Sequence, residues 1–311
     1  MSLTYLSPAL SVTVTTPGSP DVVDCLFEGW HSGSPESDVT VAFGPIESLH
    51  AAPDSAPIGY GELRGWVTSS VLYLACDRGA LQVDYLARHG TIHLPVARPD
   101  LAFARDTLWR IVALELARTV GRYYLHGAAL VSPLGAEVIC ADGGIGKSTL
   151  AAAWLAAGHA AVTDDGAMLV PGDPGIVTAL PGAWRLSPPA DRWCSLPPAP
   201  DPAPADGAST DHGLTVKRRF WPPAAQIVSQ APIHRLHFAE RGASTALVPL
   251  SPSQALTRLI RQNPLLMASQ ALAGNHLEAL CMLSEHVPAY ILQLSPGLLK
   301  NPRNALNLLG V

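Results

Sequence analysis

The sequence predicts a small β-rich domain at residues 1–104, followed by an α/β domain at residues 105–311 that ends in helices. Three observations support this fold class. Short alternating apolar runs separated by turn residues fill the first part, which is the pattern of strands and turns. From Tyr124 onward, apolar strands alternate with a helical pattern around a glycine-rich loop, which is typical of α/β sheets. Apolar residues make up 48% of the 311 residues, which is enough to build a substantial core.

Composition and charge restrict the class of protein. The net charge of −5 provides no basic surface, which argues against a nucleic-acid partner. No apolar run reaches the roughly 18 residues of a membrane span, so no membrane partner is expected. No Lys or Arg precedes Arg64, which disfavours a secretory signal, and five scattered cysteines without a CxxC pair favour reduced thiols. We therefore expect a cytoplasmic protein.

The sequence of the first domain predicts strands, and the segment that follows it predicts a helix. The strand segments are LSVTVTT, DVTVAF, SVLYLAC, ALQVDYLA and TIHLPV. His89 and His93 lie four residues apart on a predicted strand, where ordinary surface or edge histidines are favoured over a metal site. The segment LAFARDTLWRIVALELARTVG then shows apolar residues at helical spacing, and Gly121 is a suitable stop. No catalytic set of residues is visible before this helix.

The segment VICADGGIGKSTLAAAWLAAGHAAVTDD, residues 138–165, carries the main functional signal. It matches the phosphate-loop pattern G-x-x-x-x-G-K-S/T, with Ala141 in the first position. The glycines let the backbone turn and approach phosphate, the lysine contacts the β- and γ-phosphates, and the hydroxyl binds Mg²⁺. A buried strand before the loop and an alanine-rich helix after it provide the required context. The predicted nucleotide-binding residues are Gly143, Gly144, Ile145, Gly146, Lys147, Ser148 and Thr149.

Asp164 and Asp165 close the strand that follows this helix. Carboxyl ends of parallel strands gather ligands, so one carboxylate there can help to bind Mg²⁺ together with Ser148. The second can accept a proton from an attacking hydroxyl. Neighbouring strand residues point to opposite faces, so we expect different roles, with Asp164 as the metal ligand. The alternative is one functional aspartate and one solvated neighbour.

His126 is a further candidate because a hairpin brings it towards the loop. The strands YYLHGAALVS and GAEVIC flank Pro133–Gly135, and a centre near residue 134 would place His126 opposite Asp142. A lone strand histidine is usually structural, but this geometry favours the site.

A basic cluster follows a Pro-rich segment, residues 188–213, which is too polar and proline-rich to pack by itself and is expected to form a loop. The candidates for stabilising transferred charge are Lys217, Arg218, Arg219 and Arg185. Lys217 is the first choice because only three of the 20 basic residues are lysines. A solvated basic turn is the alternative.

Beyond about Ser253, we expect helical segments broken at Gly274, Pro288 and Pro302.

Together, LHGAAL, ADGGIGKST and AAGHAAVTDD resemble, in order and spacing, the HPr kinase/phosphorylase-like P-loop kinases, whose fold is related to phosphoenolpyruvate carboxykinase. The resemblance covers roughly residues 105–311. It implies ATP or GTP and Mg²⁺ as cofactors. The implied active-site residues are His126, Lys147, Ser148, Asp164 and Asp165, with Asp165 favoured as the base that activates an acceptor serine.

The chain also departs from the HPr enzymes. Thr149 replaces their usual glutamate, and PGIVTALPGAWRLSPP stands where they carry a glycine- and isoleucine-rich signature. The arrangement looks more like the shorter homologues encoded with lasso-peptide genes, which implies phosphorylation of a C-terminal serine on a precursor peptide. An HPr-type or small-molecule kinase and a non-catalytic nucleotide-binding regulator are the alternatives. The sequence leaves monomer and homo-oligomer both open.

Overall fold

The computed structural model divides into two compact units. It describes residues 3–16, 20–33, 37–45, 55–173, 175–186, 218–263, 269–296 and 306–309. Within these, the first unit comprises residues up to 122 and residues 269–276, and the second comprises the rest. The predicted Pro-rich loop at 188–213 and Lys217 lie outside the described residues.

A nine-stranded sheet forms most of the first unit, and five of its strands lie on the predicted segments. Its strands are β1 (Leu3–Leu6), β2 (Ser11–Thr16), β3 (His31–Ser32), β4 (Val39–Pro45), β5 (Ala56–Tyr60), β6 (Leu63–Val67), β7 (Val71–Cys76), β8 (Gly79–Asp84) and β9 (His89–Leu94). They lie in the order β3-β1-β2-β4-β9-β8-β7-β6-β5, in which β5 to β9 form an antiparallel meander. A short helix that the sequence did not reveal, α1 (Pro20–Leu26), joins β2 to β3.

The predicted helix is present, but it belongs to the first unit. It consists of α2 (Leu101–Phe103), a π-helical stretch (Ala104–Trp109) and α3 (Arg110–Thr119). The glycine at position 90 of β9 lets α3 approach the sheet closely, because a side chain there would collide with Val112. The buried Glu115 accepts hydrogen bonds from Tyr85 at 2.9 Å and from Arg118 at 2.8 Å. The division therefore falls after Arg122, whereas the sequence pattern put it at residue 104.

The second unit is built on a mixed sheet with helices, as an α/β unit requires. Its strands are β10 (Tyr123–Leu125), β11 (Gly127–Ser132), β12 (Gly135–Cys140), β13 (Ala160–Thr163), β14 (Ala167–Val170), β15 (Ile176–Ala179), β16 (Trp184–Leu186), β17 (Arg218–Phe220), β18 (Gln230–Arg241), β19 (Ala246–Leu250) and β20 (Ala289–Leu294). The helices are α4 (Lys147–Ala156), α5 (Pro252–Arg261) and, from residue 277 onward, α6 (Gln270–His286), with 3₁₀ turns at Ala224–Gln226 and Asn307–Leu309.

The strand order β10-β14-β15-β18-β12-β11-β13 sets the position of the candidate site. β12 and β13 lie on either side of β11 and both run antiparallel to it, so they point in the same direction. Their carboxyl ends therefore lie at one edge of the sheet, with α4 connecting them. β18 runs parallel to both β12 and β20, while β16 and β17 form a separate ribbon.

The core of this unit lies between the sheet and α4. Trp154 is fully buried, and its indole N–H donates to the Ala160 carbonyl at 2.8 Å. At the start of β12, the buried Glu137 accepts from His237 at 2.6 Å and from His234 at 2.9 Å. Burial raises the pKa of Glu137, but the hydrogen bonds and charges of both histidines outweigh it and hold the pKa below its ordinary value.

The predicted hairpin is present, but its register was wrong by one residue. Ser132 pairs with Gly135 and Gly127 pairs with Cys140, because the turn contains two residues rather than three. The ladder therefore ends at Gly127 and Cys140. His126 precedes β11, at the level of Ala141 rather than opposite Asp142.

The expected C-terminal helices are only partly correct. Gly274 lies inside α6 instead of ending a helix. The segment after Pro288 forms β20, which pairs with β18 and β19. Strand pairing and burial on the sheet outweigh the local helical pattern of this apolar run. No helix in the described residues is long and apolar enough to cross a membrane.

Candidate functional site

The glycine-rich loop joins a buried strand to the start of a helix. All six residues of β12 are buried, residues 142–144 are exposed, and α4 begins at Lys147. Gly144 and Gly146 have φ angles of +80° and +121°, which ordinary side chains rarely adopt. The loop therefore turns sharply into the helix N-terminus, where backbone N–H groups favour an anion.

Gly143 differs from these two glycines. Its φ lies outside the left-handed range, and a Cβ added there would meet no described heavy atom within 4 Å apart from its own chain neighbours. Neither backbone strain nor crowding therefore requires glycine at this position. A Cβ at this exposed position would point into open space among the described residues.

Lys147 lies at the centre of a polar cluster behind the loop. Its Nζ is 2.9 Å from His126 Nε2 and donates to Asp165 Oδ1 at 3.2 Å. An ammonium group only donates, so His126 Nε2 acts as the acceptor and the ring is neutral. The ring proton is then on Nδ1, which lies 2.8 Å from Tyr124 Oη and 3.5 Å from Asp165 Oδ1. We assigned this tautomer from the chemistry of the partners.

The two aspartates face different partners. Asp165 Oδ1 accepts from Lys147 and from its neighbour Gly166 N–H at 3.0 Å. The carboxylate of Asp164 is buried, and its Oδ2 accepts the backbone N–H of Arg185 at 3.1 Å. Both aspartates lie in the bend that follows β13, which ends at Thr163. The division of roles between them stays a prediction.

The structure thus brings three predicted site residues into one cluster: His126, Lys147 and Asp165. Ser148 and Thr149 lie in the first turn of α4, and both are half-buried. The backbone of Arg185 reaches Asp164, while Arg219 is buried in β17.

The sequence analysis missed three residues at this site. Tyr124 could have been found, since residues two apart on a strand share a face and Tyr124 lies two before His126. Arg241 Nη2 donates to the Gly144 carbonyl at 3.3 Å. Gln262 Nε2 donates to Asp142 Oδ1 at 2.9 Å. No local pattern could have revealed these last two contacts, which join residues about 100 positions apart.

Cys140, at the end of β12, is buried. Burial raises the pKa of its thiol to about 12, with Asp165 adding to the effect and Lys147 opposing it. The remaining groups can hold an anion at the loop and accept a proton beside it.

Comparison with known proteins adds little to this picture. No family model matches the chain, and no curated protein matches it. Similar solved structures include the HPr(Ser) kinase/phosphatase from Coxiella burnetii. That alignment covers 60% of this chain and 94% of the other, with 14% sequence identity and a TM-score of 0.30. At this TM-score, the function has to be inferred from this chain's own residues.

Proposed function

We propose that the protein is a nucleotide- and Mg²⁺-dependent kinase that phosphorylates a serine hydroxyl in a peptide or small protein. The observation that carries this proposal is the cluster of Lys147, His126 and Asp165 behind an exposed glycine loop. A loop with space for phosphate, a buried cation and a carboxylate beside that cation are the parts that phosphoryl transfer requires.

Binding of the nucleotide draws on residues of the loop and of α4. The backbone of Gly143 to Gly146 would surround the phosphates, and the ammonium group of Lys147 would turn from Asp165 towards them. Ser148 and Asp164 offer hydroxyl and carboxylate oxygens, which suit Mg²⁺. When bound, Mg²⁺ would neutralise phosphate charge.

Transfer itself needs a base for the acceptor. The serine oxygen forms a bond to the γ-phosphorus while the bond from the γ-phosphorus to the bridging oxygen of the β-phosphate breaks, and the nucleoside diphosphate leaves. Asp165 accepts the hydroxyl proton. The neutral ring of His126 lies beside both Lys147 and Asp165, so it would hold the carboxylate in place once the lysine turns to phosphate.

The sequence resemblance supports the C-terminal serine of a lasso-peptide precursor as acceptor. The decisive experiment incubates the protein with ATP or GTP, Mg²⁺ and serine peptides, including a precursor peptide with its serine replaced by alanine as control. Mass spectrometry should show one added phosphate on the serine peptide only. Saturable nucleotide binding without transfer to any acceptor would instead support a nucleotide-binding regulator.

A further inference from the structure

The glycine-rich loop is held from outside by two side chains. Arg241, the last residue of β18, donates to the carbonyl of Gly144 at 3.3 Å. Gln262, the C-cap of α5, donates to the carboxylate of Asp142 at 2.9 Å. Within the loop, the N–H of Ile145 reaches the Asp142 carbonyl only at 3.4 Å. The two outside contacts, both solvent-exposed, therefore supplement a long internal hydrogen bond of the loop.

Such contacts matter because this loop has little to order it. Gly143, Gly144 and Gly146 have more backbone freedom than other residues, and fixing each of them costs conformational free energy. A ligand that had to order the loop on binding would lose affinity by that amount. Contacts that already hold the ligand-free loop reduce this loss.

Arg241 and Gln262 belong to secondary-structure elements that are themselves fixed by hydrogen bonds. β18 lies inside the sheet and pairs in parallel with β12 and β20, and the ladder with β20 extends to Arg241 itself. α5 begins with a capping box in which the side chains of Ser251 and Gln254 each bond the other's backbone. At its other end, the buried Asn263 donates to the Leu259 carbonyl at 2.7 Å. Each contact can therefore fix the position of the loop.

We propose that Arg241 and Gln262 are positioning residues that hold the ligand-free loop in its phosphate-binding shape. This inference rests on the proposed nucleotide site. Both side chains bond the loop itself, one through a carbonyl and one through a carboxylate. They therefore act on nucleotide affinity and not on the transfer step.

The first test compares Arg241→Ala and Gln262→Ala with wild type. Each should raise the KM for ATP or GTP about 3- to 10-fold, the range expected for one lost hydrogen bond. The kcat at saturating nucleotide and the thermal midpoint should stay at wild-type values. Arg261→Ala is the matched control, since it removes an exposed charge from the same end of α5. An Arg261→Ala effect equal to that of Arg241→Ala would indicate a general charge effect and overturn the role of Arg241.

A double-mutant cycle tests the Gln262 contact directly. Gln262→Ala should lose its effect on the nucleotide Kd when Asp142→Ala is already present, whatever Asp142→Ala does alone. Gln262→Glu should weaken binding because it opposes two carboxylates, and Asp142→Asn combined with Gln262→Glu should restore binding by reversing the polarity of the hydrogen bond. Equal effects of Gln262→Ala in both backgrounds would overturn its role.

Failure of this inference can be told apart from failure of the proposed function. If wild type binds ATP or GTP and the variants bind equally well, only the positioning role is wrong. If wild type shows no saturable binding of either nucleotide, both proposals are overturned.

Discussion

Gly143→Ala should weaken nucleotide binding without destabilising the fold. The backbone at Gly143 lies outside the left-handed range, and no described atom beyond its chain neighbours would touch the new methyl group. Alanine also restricts the unfolded chain, so the free energy of unfolding should stay equal or rise by up to about 1 kcal/mol. Glycine is therefore not required at this position for stability.

Nucleotide affinity should fall in the same variant, although its stability is kept. In the proposed nucleotide site, the phosphate approaches the backbone N–H groups of this loop, and the added methyl group would crowd it. A displaced phosphate loses at least one charge-assisted hydrogen bond, which contributes about 1.5–3 kcal/mol. Nucleotide affinity should therefore fall about 10- to 100-fold.

Titration with ATP and GTP by calorimetry, alongside thermal unfolding, measures both quantities. Gly274→Ala is the matched control: Gly274 is exposed within α6 and has no described atom in the way. That change should stabilise by about 1 kcal/mol and leave nucleotide affinity unchanged. Wild-type affinity in folded Gly143→Ala would refute the assignment of this space to phosphate.

Three further predictions concern charged groups of the second unit. Lys147→Ala should remove phosphoryl transfer at a loss of about 2–4 kcal/mol in transition-state stabilisation, and near-normal turnover of the folded variant would exclude the loop from the mechanism. Asp165→Asn should bind nucleotide yet fail to transfer, while Asp164→Asn should mainly raise the Mg²⁺ concentration needed; the reverse pattern would exchange their roles. Because the pKa of Glu137 is lower in the folded protein than in the unfolded chain, its ionised hydrogen bond to His237 stabilises the fold above about pH 4.5. This contribution is lost as the pH falls through the pKa that Glu137 has in the folded protein. The difference in free energy of unfolding between wild type and Glu137→Gln, measured by urea titration, should therefore become smaller below that pH. A difference that does not change with pH would contradict this effect of Glu137 ionisation.

Local sequence was sufficient for the parts of this protein that are continuous in the chain. Five of the nine strands of the first unit follow from alternating apolar residues, and the strand, loop and helix around Lys147 follow from the glycine pattern. Each of these features depends on residues within a few positions of one another.

Tertiary structure decided what depends on distant partners. The segment after Pro288 becomes β20 because β18 and β19 pair with it, and the helix that ends at Thr119 packs on the first sheet instead of joining the second unit. At the site, Arg241 and Gln262 reach the loop across separations of 97 and 120 residues. Such contacts leave no periodic trace in the sequence, because they are set by strand order and helix packing. Local sequence thus identified the loop, whereas the fold alone determined which side chains hold it.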